Sequence, residues 1–125
     1  MSEQAATKDM IDFVTMVNPH KISIKKMLVS QEDYNIYKKG LNRFELGNRW
    51  FIFFENNWLY FHLIADSIGI YKAEIKEGDG ELYIDEFFVE RSKERLGKFF
   101  DNFDDEKKNR TDFIYLLAKL WKEHV

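Results

Sequence analysis

The sequence predicts an α+β protein. An antiparallel sheet of about five strands occupies the middle of the chain, with N-terminal helices and a C-terminal helical hairpin packed on it. Three observations lead there. Arg49–Ile75 is a dense aromatic block broken at Glu55-Asn56-Asn57 and followed by strict alternation, the mark of half-buried strands. The segments before and after it carry apolar residues at helical spacing. The chain has 125 residues, 45% hydrophobic and 33% charged, enough to bury one core without staples, so one domain spanning 1–125 is expected.

Each element has a local reason. Thr7–Val17 places Met10, Phe13, Val14 and Val17 on one helical face, with Thr7 as N-cap and Asn18-Pro19 as the stop. His20–Val29 is ambiguous: Ile22 and Ile24 alternate as in a strand, whereas Ile24, Met27 and Leu28 fit a helix. Ser30-Gln31-Glu32-Asp33 opens a helix that turns Tyr34 and Tyr37 inward and ends at Gly40. Arg43–Leu46 and Arg49–Phe54 are predicted strands joined at Gly47-Asn48, and Trp58–Ile64 follows the Glu55-Asn56-Asn57 turn.

Gly69–Lys76 sets Tyr71, Ala73 and Ile75 against Lys72, Glu74 and Lys76. After Glu77-Gly78-Asp79-Gly80, Glu81–Val89 pairs back with Leu82 and Ile84 inward. Ser92 then caps a helix with Leu96, Phe99, Phe100 and Phe103 on one side. Asp104–Arg110 reads as a charged connector. Thr111-Asp112 starts a last helix with Phe113, Leu116, Leu117, Leu120 and Trp121 in one stripe.

Composition excludes several chemistries. The chain has no cysteine, which removes disulfides, thiolate metal sites and cysteine nucleophiles together, and fits a reducing compartment. The first residues show no basic stretch followed by an apolar run, and no segment reaches the roughly 18 apolar residues of a membrane span. A cytoplasmic protein without membrane contact is expected. A net charge of −3 argues against nucleic acid as partner, since such proteins are usually basic, and the pairs Lys25-Lys26, Lys38-Lys39 and Lys107-Lys108 form neither a basic stripe nor a known binding motif. No phosphate-loop or dinucleotide glycine pattern is present, so no cofactor is expected.

Leu59-Tyr60-Phe61-His62, followed by Gly69-Ile70-Tyr71, resembles a strand motif of a family of small uncharacterised bacterial proteins. There, arginine, serine, tryptophan and threonine link the histidine to the glycine. Asp104-Asp105-Glu106, Thr111-Asp112 and Leu116–Leu120 are similar to that family's later acidic segment, threonine-aspartate pair and leucine-rich last helix. The resemblance spans roughly Arg49 to the C-terminus and implies fold, not activity. This chain departs from the pattern at Leu63–Ile68, which is longer and lacks the arginine and tryptophan.

The candidate catalytic residues are His62, Asp66 and Glu74. His62 ends an aromatic strand and is a possible general base, with Asp66 and Ser67 near it in sequence and Glu74 or Glu86 as strand carboxylates. A histidine on a strand face is more often a hydrogen-bonded structural residue. Asp101, Asp104, Asp105, Glu106 and Asp112 match no calcium loop and alternate with Lys107, Lys108 and Arg110, so no metal site is expected.

The strand Trp50–Phe54 is apolar on both faces, so one face must meet either the N-terminal helices or a partner. The function expected is therefore binding of another protein, or of a second copy, by an accessory, inhibitor or immunity-type protein without catalytic activity. Trp50, Ile52, Phe54, Trp58 and Tyr60 are the candidate protein-binding anchors, with acidic residues attracting a basic partner. A small hydrolase or lyase built on His62 is the alternative, and a nucleic-acid-binding accessory protein the second.

Overall fold

The computed structural model describes residues 5–10, 15–42, 49–64 and 67–124. Its frame is a six-stranded antiparallel sheet made of β1 (Pro19–Val29), β2 (Trp50–Glu55), β3 (Trp58–Leu63), β4 (Gly69–Glu74), β5 (Lys76–Gly78) and β6 (Glu81–Glu90). The strand order is β1-β6-β4-β3-β2, and β5 also pairs with β6. Three helices complete it: α1 (Gln31–Lys39), the short α2 (Lys93–Leu96) and α3 (Glu106–Glu123). The α+β class read from the sequence is the observed one.

The hairpins form where turn chemistry is local. Asn56 and Asn57 take positive φ, 52° and 67°, which gives the tight two-residue link between β2 and β3. Asp79 and Gly80 do the same between β5 and β6, at 53° and 76°. The expected strand Gly69–Lys76 breaks at Ile75, whose N–H turns to the Asn57 carbonyl at 2.7 Å. Arg43–Leu46 and the Gly47-Asn48 turn lie outside the described residues.

The ambiguous stretch His20–Val29 is strand throughout. Its partner register jumps from Ser23↔Glu86 to Met27↔Ile84, a bulge that leaves two more residues on β1 than on β6. Ile22 and Ile24 therefore reach the core before the bulge, and Met27 and Val29 after it. That spacing mixes the periods of strand and helix, which is why local pattern does not decide it.

Other expectations are corrected. In place of a helix over Thr7–Val17, Lys8–Met10 is one 3-10 turn and residues 15–18 are irregular, while Phe13 and Val14 lie outside the described residues. Long-range bonds hold this segment instead. Ala6 N–H donates to the Lys39 carbonyl (2.8 Å), and the Val17 and Asn18 amides donate to the Glu90 carboxylate at 2.8 and 2.9 Å.

The first arm of the C-terminal hairpin is only α2 plus a 3-10 stretch, Gly97–Asn102. Gly97 at φ +53° ends the α-turn begun at Ser92. The charged connector is in fact helix: Asp105 caps α3 by accepting from Lys107 N–H (2.9 Å), so the helix begins at Glu106, five positions before Thr111.

The main core lies between α3, α1 and one sheet face. It contains Ile52, Phe61, Tyr71, Phe87, Val89, Phe113, Leu117 and Leu120. Phe87 and Phe113 stack with centroids 4.3 Å apart and tie α3 to the sheet centre. A second, smaller core on the other face joins Ala6 to Phe51 and Phe53. Gly40 lets α1 turn back to the β2 edge. At φ +66° it brings Leu41 into a two-bond bridge with Ile52, and a Cβ there would collide with the Ile52 carbonyl.

Candidate functional site

Strand register decides where each candidate side chain points. Phe51↔His62 and Phe53↔Tyr60 on β2–β3, with Tyr60↔Lys72 and Trp58↔Glu74 on β3–β4, put His62, Tyr60, Trp58, Lys72 and Glu74 on one face. Trp50, Ile52 and Phe54 lie on the opposite face, toward the helices. Ile52 is fully buried, and Trp50 and Phe54 are half-buried against the main core. The five candidate anchors thus divide between two faces. Tyr60 stacks on Phe53 at 4.7 Å as part of the second core. Trp58 stays half-buried beside Phe88 (6.0 Å), with the Lys72 ammonium 5.3 Å from its ring.

His62 is 2% exposed, and its Nδ1 lies 3.0 Å from the Ser67 carbonyl. A carbonyl only accepts, so Nδ1 carries the proton and the lone pair is on Nε2. Burial pushes the imidazole below its ordinary pKa, partly offset by the Ser67 bond, so the ring is held neutral. Gly69 makes room for it: a Cβ there would lie 3.1 Å from His62 Cε1. Thr15, Met16, Glu55, Tyr60 and Lys72 complete a cleft of about 240 Å³ over the ring. Glu74 is not brought to His62. It pairs with Trp58, four residues along β3, which is about 13 Å of strand. Asp66 lies outside the described residues.

A larger cleft, about 350 Å³, opens on the other side of the sheet between the start of β2 and α3. Arg49, Trp50, Phe103, Lys108, Asp112 and Tyr115 line it. Behind it runs a buried polar chain. Arg91 Nη2 donates to Asn109 Oδ1 (2.9 Å), Asn109 Nδ2 donates to the Tyr71 hydroxyl (3.3 Å), and that hydroxyl donates to Asp112 Oδ2 (3.3 Å). Asn109 and Tyr71 have no exposed surface. Burial holds the Tyr71 phenol above its ordinary pKa, so it stays a donor to Asp112. Trp50 stacks on Tyr71 at 6.0 Å and meets Phe103 edge-on at 6.4 Å, which fixes the cleft's inner wall.

The third feature is the outer side of α3. Trp121, expected in the core stripe, is 41% exposed, and Ile114 and Tyr115 are 44% and 65% exposed. The buried stripe is Asn109, Phe113, Leu116, Leu117 and Leu120. Trp121 follows Leu117 by four, which suits the core, but a full 100° step past Leu120 carries it round the helix. Ile114, Ala118 and Trp121 then share one ridge with Lys107 and Lys122 beside it, all of them exposed. Sequence reasoning missed Asn109 and the outward aromatics. The signal for Asn109 was present: it precedes Phe113 by four and prolongs the stripe by a turn.

Among the described residues, no three His, Asp or Glu side chains come together in a metal-holding group, and no helix is long and apolar enough to cross a membrane. Comparison of the chain with protein-family models, with curated proteins and with solved structures finds no match.

Proposed function

We propose that this protein binds another protein through the outer face of α3, without itself catalysing a reaction. The observation that carries the reading is the exposure of Ile114, Tyr115 and Trp121 within two turns of one helix. Tyr and Trp are the residues that most often anchor interfaces, because they bury much area for few frozen rotors. The two sheet faces are less available: Ile52, Phe51 and Phe53 are buried in the two cores.

The partner is a protein with an apolar groove and an acidic rim. Lys107 and Lys122 border the ridge, while the nearby Arg110 pairs with Glu106 at 3.5 Å and Lys119 with Glu123 at 3.9 Å, so the surplus there is positive although the chain as a whole carries −3. This reverses the basic partner that the overall composition suggested.

The test is size-exclusion chromatography with light scattering on wild type, Ile114→Ala/Trp121→Ala and Lys107→Glu/Lys122→Glu, each mixed with lysate and the captured protein identified and purified. Loss of a Trp anchor weakens binding by about 2 kcal/mol or more. The charge reversal slows association at low salt and has less effect at high salt. A purified partner that binds all three proteins alike, or the absence of any partner requiring Trp121, overturns the proposal.

A further inference from the structure

The cleft between β2 and α3 carries a second function, which shares Tyr115 with the exposed face of α3 but otherwise rests on different residues. We propose that it binds a small planar aromatic anion, a ring bearing a carboxylate or a phosphate together with a hydrogen-bond donor.

Three features converge on that chemistry. Two aromatic residues line it: half-buried Trp50, stacked on Tyr71, and Tyr115. A ring stacking there gains area and quadrupole contact. Two cations, Arg49 and Lys108, stand at the mouth, and neither makes an ion pair with any described residue, so both are available to an incoming anion. The Arg fork suits carboxylate or phosphate oxygens in a bidentate grip.

The third feature is Asp112. The Tyr71 hydroxyl donates to its Oδ2 from inside the protein, which leaves the rest of the carboxylate to accept a donor from the cleft side. The relay behind it, Arg91–Asn109–Tyr71, is costly to bury and does nothing for the apolar core that hydrocarbon would not do better. Its effect is to fix the orientation of a carboxylate at the floor of a cavity of about 350 Å³, within the size range of small-ligand sites.

Ligand-observed NMR and isothermal titration calorimetry on the full chain test this with defined probes. 4-Aminobenzoate carries ring, carboxylate and N–H donor, and adenosine monophosphate carries ring, phosphate and N–H donor. Indole (ring without charge) and inorganic phosphate (charge without ring) are the controls. At least one of the two complete probes binds at millimolar concentration or below, and which one binds distinguishes a carboxylate from a phosphate ligand.

Both controls bind at least about tenfold more weakly. Arg49→Ala/Lys108→Ala alters only exposed side chains and keeps the wild-type melting curve, yet it weakens the bound probe about tenfold or more. No binding of either complete probe overturns the proposal, as does binding that the double variant leaves unchanged or that indole matches.

Discussion

Asn109→Ala is the sharpest perturbation this fold offers, because one side chain serves two buried partners. Its Oδ1 accepts from the Arg91 guanidinium at 2.9 Å, and its Nδ2 donates to the Tyr71 hydroxyl at 3.3 Å. A hydrogen bond to a charged group is worth about 1.5–3 kcal/mol, and a neutral one about 1 kcal/mol. The buried Arg91 Nε already has no hydrogen-bond partner among the described residues, so removing the Nη2 acceptor leaves the guanidinium poorer still.

The sum is about 3 kcal/mol. Unfolding entropy of about 2.1 cal/mol/K per residue over 125 residues gives about 0.26 kcal/mol/K, so the melting temperature falls by about 11 °C. Urea unfolding at unchanged m-value is the assay. Tyr71→Phe removes one neutral bond, to Asn109, and one to the Asp112 carboxylate; both are long at 3.3 Å and Asp112 is half-exposed, so its loss is smaller, about 1–2 kcal/mol. In the double variant the two losses fall short of additivity, since each change breaks the same Asn109–Tyr71 bond. An Asn109→Ala loss below about 1 kcal/mol, or one smaller than that of Tyr71→Phe, refutes the reasoning, because it would mean that the Arg91 contact contributes nothing.

Two other outcomes test separate parts of the structure. The Glu90 carboxylate is 1% exposed and accepts four backbone amides, from Val17 (2.8 Å), Asn18 (2.9 Å), Arg91 (3.1 Å) and Ser92 (3.1 Å). Glu90→Gln turns an NH2 group toward N–H donors and removes the charge, at a cost of about 2–3 kcal/mol, and hydrogen exchange speeds up at Val17 and Asn18; unchanged exchange there would show that the segment is held by something else. For His62, burial lowers the folded-state pKa below the unfolded value of about 6.5, so the unfolded chain binds the proton more readily and stability falls as pH drops through and below that value. Denaturant titrations of wild type and His62→Phe from about pH 7 to 5 should show a shallower decline in the variant, and parallel curves would contradict a buried neutral imidazole.

The parts of this fold that were legible in the sequence are those whose cause is local. Asn56-Asn57 and Asp79-Gly80 take left-handed conformations for reasons contained in a dipeptide, and with them came the β2–β3 and β5–β6 hairpins. Ser30 announced α1 through its bond to the Asp33 amide. The N-terminal segment misled because its 3.6-residue spacing is outweighed by bonds to Lys39 and Glu90, tens of positions away. Strand β1 was undecidable because its bulge exists only against β6.

The candidate site shows the same division more sharply. Asp104–Arg110 reads as a solvated connector because polarity is the local sign of exposure. Yet Asn109 is among the best-buried residues, and its partners Arg91 and Tyr71 stand 18 and 38 positions earlier in the chain. A buried polar residue is stable only through partners that local sequence does not display. The segment that looked least structured is therefore the one that supplies Lys108 to the mouth of the β2–α3 cleft and Asn109 to its buried support. In this chain polarity without local explanation marks the candidate site better than the aromatic surplus does, since most of the aromatics are accounted for by the two cores.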